Sequence, residues 1–83
     1  MISASQSHPP MPLEMLRAGE LATVCDIDGN EQWVARLDEM GLRAGTEIRM
    51  IRPGSPCIVA FENHRLSLRG EECGSVMVQV LSR

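Results

Sequence analysis

From Leu13 onward, apolar residues recur in short runs that alternate with polar ones, interrupted once by a stretch whose apolar positions fall three and four apart. Alternation marks a half-buried strand, and spacings of three and four mark one face of a helix. Leu13 to Leu16 reads as a helical turn or bend that delivers Leu16 to the core ahead of a turn at Gly19 and Glu20. Leu21 to Asp28 is a strand with Leu21, Thr23, Cys25 and Ile27 on one face and Ala22, Val24, Asp26 and Asp28 on the other. The pattern leaves open which face is inward. Glu47 to Arg52 is a second strand, with Ile48 and Met50 sharing a face, and Pro53-Gly54-Ser55-Pro56 ends it. Val76, Val78 and Val80 alternate with Met77 and Gln79 as a closing strand after a turn at Gly70 to Gly74.

Between the first two strands, Trp33, Val34, Leu37 and Met40 share one face of a helix over Glu31 to Met40. Either Asn30 or Asp28 caps its start, with Glu31 three places after Asp28 as in a capping box. Gly41 stands where a left-handed residue ends a helix, and Leu42 stands where it would touch Leu37, the apolar contact of a Schellman ending. Gly45 then turns the chain toward the second strand.

Cys57 to Glu62 and Arg65 to Arg69 read as a hairpin whose two-residue turn is Asn63-His64, since asparagine tolerates a positive φ. That turn pairs Glu62 with Arg65, Phe61 with Leu66, and Val59 with Leu68. Five short strands, tight turns and one short helix predict a mainly β domain, a small, partly open barrel. Residues 1–12 form a leader, because the Ser- and Pro-rich segment to Pro12 builds neither a helix nor a central strand, and residues 13–83 form the domain.

Composition narrows the function classes. A chain of 83 residues makes one domain whose small core leaves little room for a deep substrate cleft. Trp33 and Phe61 are its only aromatic residues, and the formal net charge of −3 disfavours nucleic acid, which needs clustered positive charge and stacking rings. All the basic side chains are arginines, so no P-loop lysine exists to hold a nucleotide. The charge is uneven. Residues 1–35 hold one Arg against five acids, whereas residues 36–69 hold six against four. Surface solvation is the ordinary reading of that tilt, and a face for an acidic protein partner is the sharper one. Cys25, Cys57 and Cys73 are odd in number and widely spaced, so neither a disulfide framework nor a zinc knuckle is expected. With no signal-like or membrane-spanning apolar run, the expectation is a cytoplasmic protein that meets a membrane only through a partner.

Three segments carry a resemblance in order: Leu16-Arg17-Ala18-Gly19-Glu20-Leu21-Ala22-Thr23-Val24, Arg36-Leu37-Asp38-Glu39-Met40-Gly41-Leu42-Arg43-Ala44-Gly45-Thr46-Glu47-Ile48, and Leu66-Ser67-Leu68-Arg69. Together they resemble the FeoA family of small cytoplasmic proteins of bacterial ferrous iron transport. The resemblance runs from Leu16 to Val80, and Arg-Leu-x-x-Met-Gly-Leu-x-x-Gly is its specific part. It implies an SH3-like β-barrel of about five strands with one short α-helix, and a non-enzymatic adaptor role beside FeoB, a membrane transporter with a cytoplasmic guanine-nucleotide-binding domain. Asn63 stands where many relatives have Gly, and Cys73 where they have Ala. The alternative is an SH3-like regulatory module related to the C-terminal domain of DtxR-type repressors. Self-association through an open sheet edge is compatible with either.

The candidate contacts for a FeoB-like partner are Arg36, Arg43, Arg49, Arg52 and Arg65, with Met40 and Leu42 as apolar anchors. The bland reading makes Leu37, Met40 and Leu42 core residues and pairs Arg65 with Glu62. Gly19, Glu20, Leu37, Gly41, Gly45, Asn63, Leu66 and Leu68 are expected to be structural. No catalytic residues and no cofactor are expected, because no nucleophile sits near a base. Asp26, Asp28, Glu62, His64, Glu71 and Glu72 have the chemistry to hold Fe²⁺ but lack ligand spacing, so His64 and Glu62 remain only weak surface candidates for a metal.

Overall fold

The computed structural model describes residues 9–82. Residues 1–8 of the expected leader lie outside them. Six strands form one antiparallel sheet: β1 (Met11–Pro12), β2 (Leu21–Ile27), β3 (Glu47–Arg52), β4 (Cys57–Phe61), β5 (His64–Leu68) and β6 (Val76–Ser82). Their order in space is β1-β6-β2-β3-β4-β5. The sheet curls around its core without closing, so the architecture is mainly β and barrel-like, with β1 and β5 as free edges. Two helices accompany it, α1 (Glu31–Glu39) and α2 (Gly70–Gly74), and a 3₁₀ turn at Leu13–Met15 buries Leu13 and Leu16.

The sixth strand was not expected. Met11 pairs with Val78 and Pro12 with Met77, so the last two residues assigned to the leader belong to the sheet. Proline is tolerated there because β1 is an edge strand whose missing N–H interrupts no interior ladder.

The inner face carries Ala22 and Val24, Ile48 and Met50, Cys57, Val59 and Phe61, Leu68, and Val76 and Val78, all buried. This settles the orientation of β2. Strict alternation would then turn Asp26 inward, and a bulge prevents it: Val24 faces Val78 while Asp26 faces Met77, leaving Cys25 as the extra residue. Asp26 is consequently exposed, and Ile27 packs against the core.

Helix α1 starts at Asn30, whose side chain accepts the Trp33 backbone N–H at 2.8 Å; Asp28 instead accepts from Gly29. It ends as the sequence predicts. Gly41 has φ +98°, its N–H donates to the Asp38 carbonyl at 2.9 Å, and the Leu42 N–H donates to Leu37 at 2.8 Å. These are the two bonds of a Schellman motif. The following loop is fastened at both ends. The Thr46 hydroxyl donates to the Gly41 carbonyl and accepts the Arg43 N–H, while the Gly45 N–H donates to the Val24 carbonyl and the Val24 N–H donates to the Thr46 carbonyl. Glu20 fixes the entry to β2: its carboxylate accepts the Arg17 N–H at 2.7 Å, and its carbonyl accepts from Met50.

The hairpin register differs by two residues from the expectation. Phe61 faces His64, Ala60 faces Arg65, Val59 faces Leu66, and Cys57 faces Leu68. The turn is Glu62-Asn63, and the positive φ of 54° falls on Glu62, not on Asn63. A shift of two preserves which side chains point inward, so periodicity alone does not distinguish the two registers.

Gly70–Gly74 forms α2 where only a turn was expected. Its flanking glycines signal turns, but the Glu72 carboxylate accepts the Arg69 N–H at 2.9 Å and holds the first turn. Cys57 and Cys73 are joined by a disulfide, against expectation. Their separation of 16 residues carries no signature in sequence; the hairpin sets Cys57 opposite Leu68, and α2 then returns Cys73 over the inner face. Both are fully buried, and Cys25 is a half-buried free thiol.

Candidate functional site

The residues singled out in the sequence divide into core and surface. Leu37 and Leu42 are completely buried, so Leu42 is packing for the helix stop and cannot anchor a partner. Met40 remains accessible at 38% and can. Arg36 is exposed on α1. Arg43 is also exposed and pairs with Asp38 at 3.2 Å, a solvated contact of little energetic weight.

The strands bring the other arginines together. Arg49 on β3 lies opposite Ala60 on β4, which lies opposite Arg65 on β5. In the neighbouring row, Arg52 lies opposite Ile58, and Ile58 opposite Ser67. A second bulge, at Ile51, makes this possible. Met50 faces Val59 and Arg52 faces Ile58, so Arg52 leaves the inner face that unbroken alternation would give it. Arg65 was expected to pair with Glu62. The two-residue shift places it beside Ala60 instead, and among the described residues Arg43–Asp38 is the ion pair observed.

Three of the depressions among the described residues bear on these side chains. An open groove of about 700 Å³ runs between the helix-stop loop, β3 and the end of β4, lined by Arg43, Glu47, Arg49, Ala60, Phe61 and Glu62 among others. A smaller one of about 200 Å³ separates α1 from β5, with Trp33, Arg36, Met40 and Leu66 in its wall. The third, about 280 Å³, is acidic, with Asp28, Glu71 and Glu72 around Trp33 and Ser75. There the Trp33 indole N–H donates to the Ser75 hydroxyl at 3.1 Å, tying α1 to the start of β6. Neither this link nor the disulfide has a local sequence signal, because each joins elements far apart in the chain.

Glu62 and His64 sit near the hairpin turn, both exposed, with the His64 ring 5.8 Å from Phe61. Among the described residues, no three His, Cys, Asp or Glu side chains come close enough to share a metal ion. No helix among them is long and apolar enough to cross a membrane.

The family model of the FeoA domain matches residues 11–80. The chain belongs to the FeoA family. The match begins at β1, with Met11, and takes in nearly all of the sheet. The FeoA protein of Chlorobium tepidum is 29% identical and superposes with a TM-score of 0.81, over 87% of this chain and 71% of that one. The Stenotrophomonas maltophilia FeoA, solved in complex with zinc, is 31% identical with a TM-score of 0.72, over 82% of this chain and 88% of that one. That relative is described as a prokaryotic SH3 domain protein and a candidate activating factor of ferrous iron transport. No curated protein sequence matches the chain.

A manganese-dependent transcriptional repressor shares the fold at a TM-score of 0.80, over 92% of this chain and 39% of the repressor. At 18% identity this is a likeness of fold alone. Within the FeoA domain, the Met40-Gly41-Leu42-Arg43-Ala44-Gly45-Thr46 stretch has a structural account at almost every position: helix stop, core plug and hydroxyl brace. Met40, Arg43 and Ala44 are the side chains of the stretch that reach the surface.

Proposed function

We propose that this FeoA-family chain is a non-enzymatic adaptor of bacterial ferrous iron uptake that binds the cytoplasmic, GTPase-containing region of a FeoB-type transporter. The observation carrying this reading is the FeoA match over residues 11–80, in a family tied to ferrous iron transport. The surface is consistent with it: the groove beside β3 lies open to solvent, which suits a protein contact better than enclosure of a small substrate. Any GTP chemistry then belongs to the partner, and the chain works in the cytoplasm, reaching the membrane only through that partner.

The test is a titration of the purified chain against the transporter's cytoplasmic region, in the nucleotide-free, GDP-bound and GTP-analogue-bound states. Saturable binding in at least one state supports the adaptor role. Absence of binding in all three refutes it.

A further inference from the structure

Granted the adaptor role, we infer that the docking surface is the outer face of β3, β4 and β5, and that it takes an acidic protein surface through Arg49, Arg52 and Arg65. Neighbouring strands lie about 4.8 Å apart, so Arg49 and Arg65, two strands apart, stand roughly 10 Å from each other across Ala60. Arg52 extends the same face one row along, beside Ile58. The three guanidinium groups thus frame a half-buried apolar stripe of Ile58 and Ala60. An apolar centre with arginine beside it is the composition of an interface hot spot.

All three arginines are exposed, and among the described residues none has an ion-pair partner, although acids outnumber arginines in the chain, eleven to eight. Glu47 shares the outer face of β3, two residues before Arg49, and Glu62 lies in the hairpin turn; neither comes within 4.0 Å of Arg49, Arg52 or Arg65. Asp28, Glu71 and Glu72 are gathered at the separate acidic depression. The face therefore carries three cations against one carboxylate, leaving unpaired forked donors that match carboxylates in geometry. Nucleic acid is the poorer occupant, because the whole chain is negative and none of these face residues is aromatic. Arg36 and Arg43 lie outside this face, on α1 and on the loop that follows it.

The experiment compares wild type, the double variant R49E/R65E and the control R36E against the transporter's cytoplasmic region at low and at raised salt. The double variant is expected to bind at least about tenfold more weakly and R36E within about threefold of wild type, with wild-type affinity falling as salt rises. Unchanged melting temperatures establish that the variants are folded. If wild type binds and R49E/R65E binds equally well, or if salt has no effect, the docking surface is wrong while the adaptor role stands. If wild type binds in no nucleotide state, the adaptor role fails, and a second arm decides the surface. In that arm a Glu-rich peptide, a Lys-rich peptide, an RNA oligonucleotide and anionic vesicles are each titrated into isotope-labelled chain. Amide shifts confined to β3, β4 and β5 and caused by the Glu-rich peptide alone support the surface. No shifts, shifts elsewhere, or tighter binding of RNA or vesicles overturn it.

Discussion

Replacing Gly41 with alanine isolates one backbone torsion. Gly41 has φ +98°, a conformation that places an L side chain against the neighbouring carbonyl, at a cost of about 1–2 kcal/mol. Space is not the obstacle. A Cβ at this position meets Glu62 Oε1 at 3.4 Å and Phe61 Cε2 at 3.7 Å, ordinary contacts of which the first is the far end of a flexible side chain. The penalty is therefore conformational, and for a domain of this size it lowers the melting temperature by about 4–8 °C per kcal/mol. Gly41→Val should lower it further, since branching at Cβ stiffens the side chain and crowds the backbone.

Gly70→Ala is the matched control. Gly70 opens α2 without a positive φ, and a Cβ there finds only Ser55 Oγ at 3.7 Å. Alanine should be neutral there or raise stability by up to about 1 kcal/mol. Thermal unfolding followed by circular dichroism reads all three variants. A Gly41→Ala protein melting within about 1 °C of wild type would refute the left-handed helix stop, because the smallest expected penalty exceeds that shift.

Leu37→Ala empties a fully buried site and should cost about 2–5 kcal/mol in denaturant unfolding; a loss below about 1 kcal/mol would show that Leu37 is not enclosed. Ser75→Ala removes the acceptor of the Trp33 indole N–H and should cost about 0.5–1.5 kcal/mol, with an unchanged denaturant midpoint counting against the link. Thiol titration of unfolded protein prepared without reductant should count one free cysteine, Cys25, and three after reduction. Three thiols before reduction would contradict the Cys57–Cys73 bond. A reducing cytoplasm holds such a pair as thiols, and Cys73 Sγ, 3.3 Å from the Leu68 carbonyl, then has an acceptor at hand.

Features set by local chemistry could be read from the sequence. Asn30 and Gly41 bound α1 because a short polar side chain and a residue free to adopt positive φ act within a few positions. The two-residue periodicity of β3 and β4 identifies their buried faces, since core exclusion acts on every alternate side chain. Whatever depends on the partner strand could not be read. The hairpin slipped by two residues without moving any side chain to the other face, yet it separated Arg65 from Glu62 and set it beside Ala60. The helix at Gly70–Gly74 was hidden because its ends are glycines and its stabilising contact, Glu72 to the Arg69 N–H, lies in the side chain. The disulfide was hidden for the complementary reason, that Cys57 and Cys73 meet only after the hairpin and α2 are both in place.

The bulges at Cys25 and Ile51 connect this limit to function. Strict alternation would send Asp26 in β2 and Arg52 in β3 toward the core, where an unpaired charge is costly. A single extra residue in each strand, Cys25 and Ile51, turns the charge to solvent and lets the apolar core close beneath it. In β2 the outcome is an exposed carboxylate followed by Ile27 against the core. In β3 it is an arginine set in the same outer face as Arg49 and Arg65. The bulge at Ile51 therefore does two things with one insertion: it preserves the core, and it adds a third cation to a face that the rest of the sheet leaves unpaired. Deleting Ile51 would regularise the strand with Arg52 still opposite Ile58, and so would alter the backbone without altering the charge. Arg52→Glu keeps the bulge and changes only the charge. For that reason charge reversal, and not repair of the strand, is the perturbation that addresses recognition.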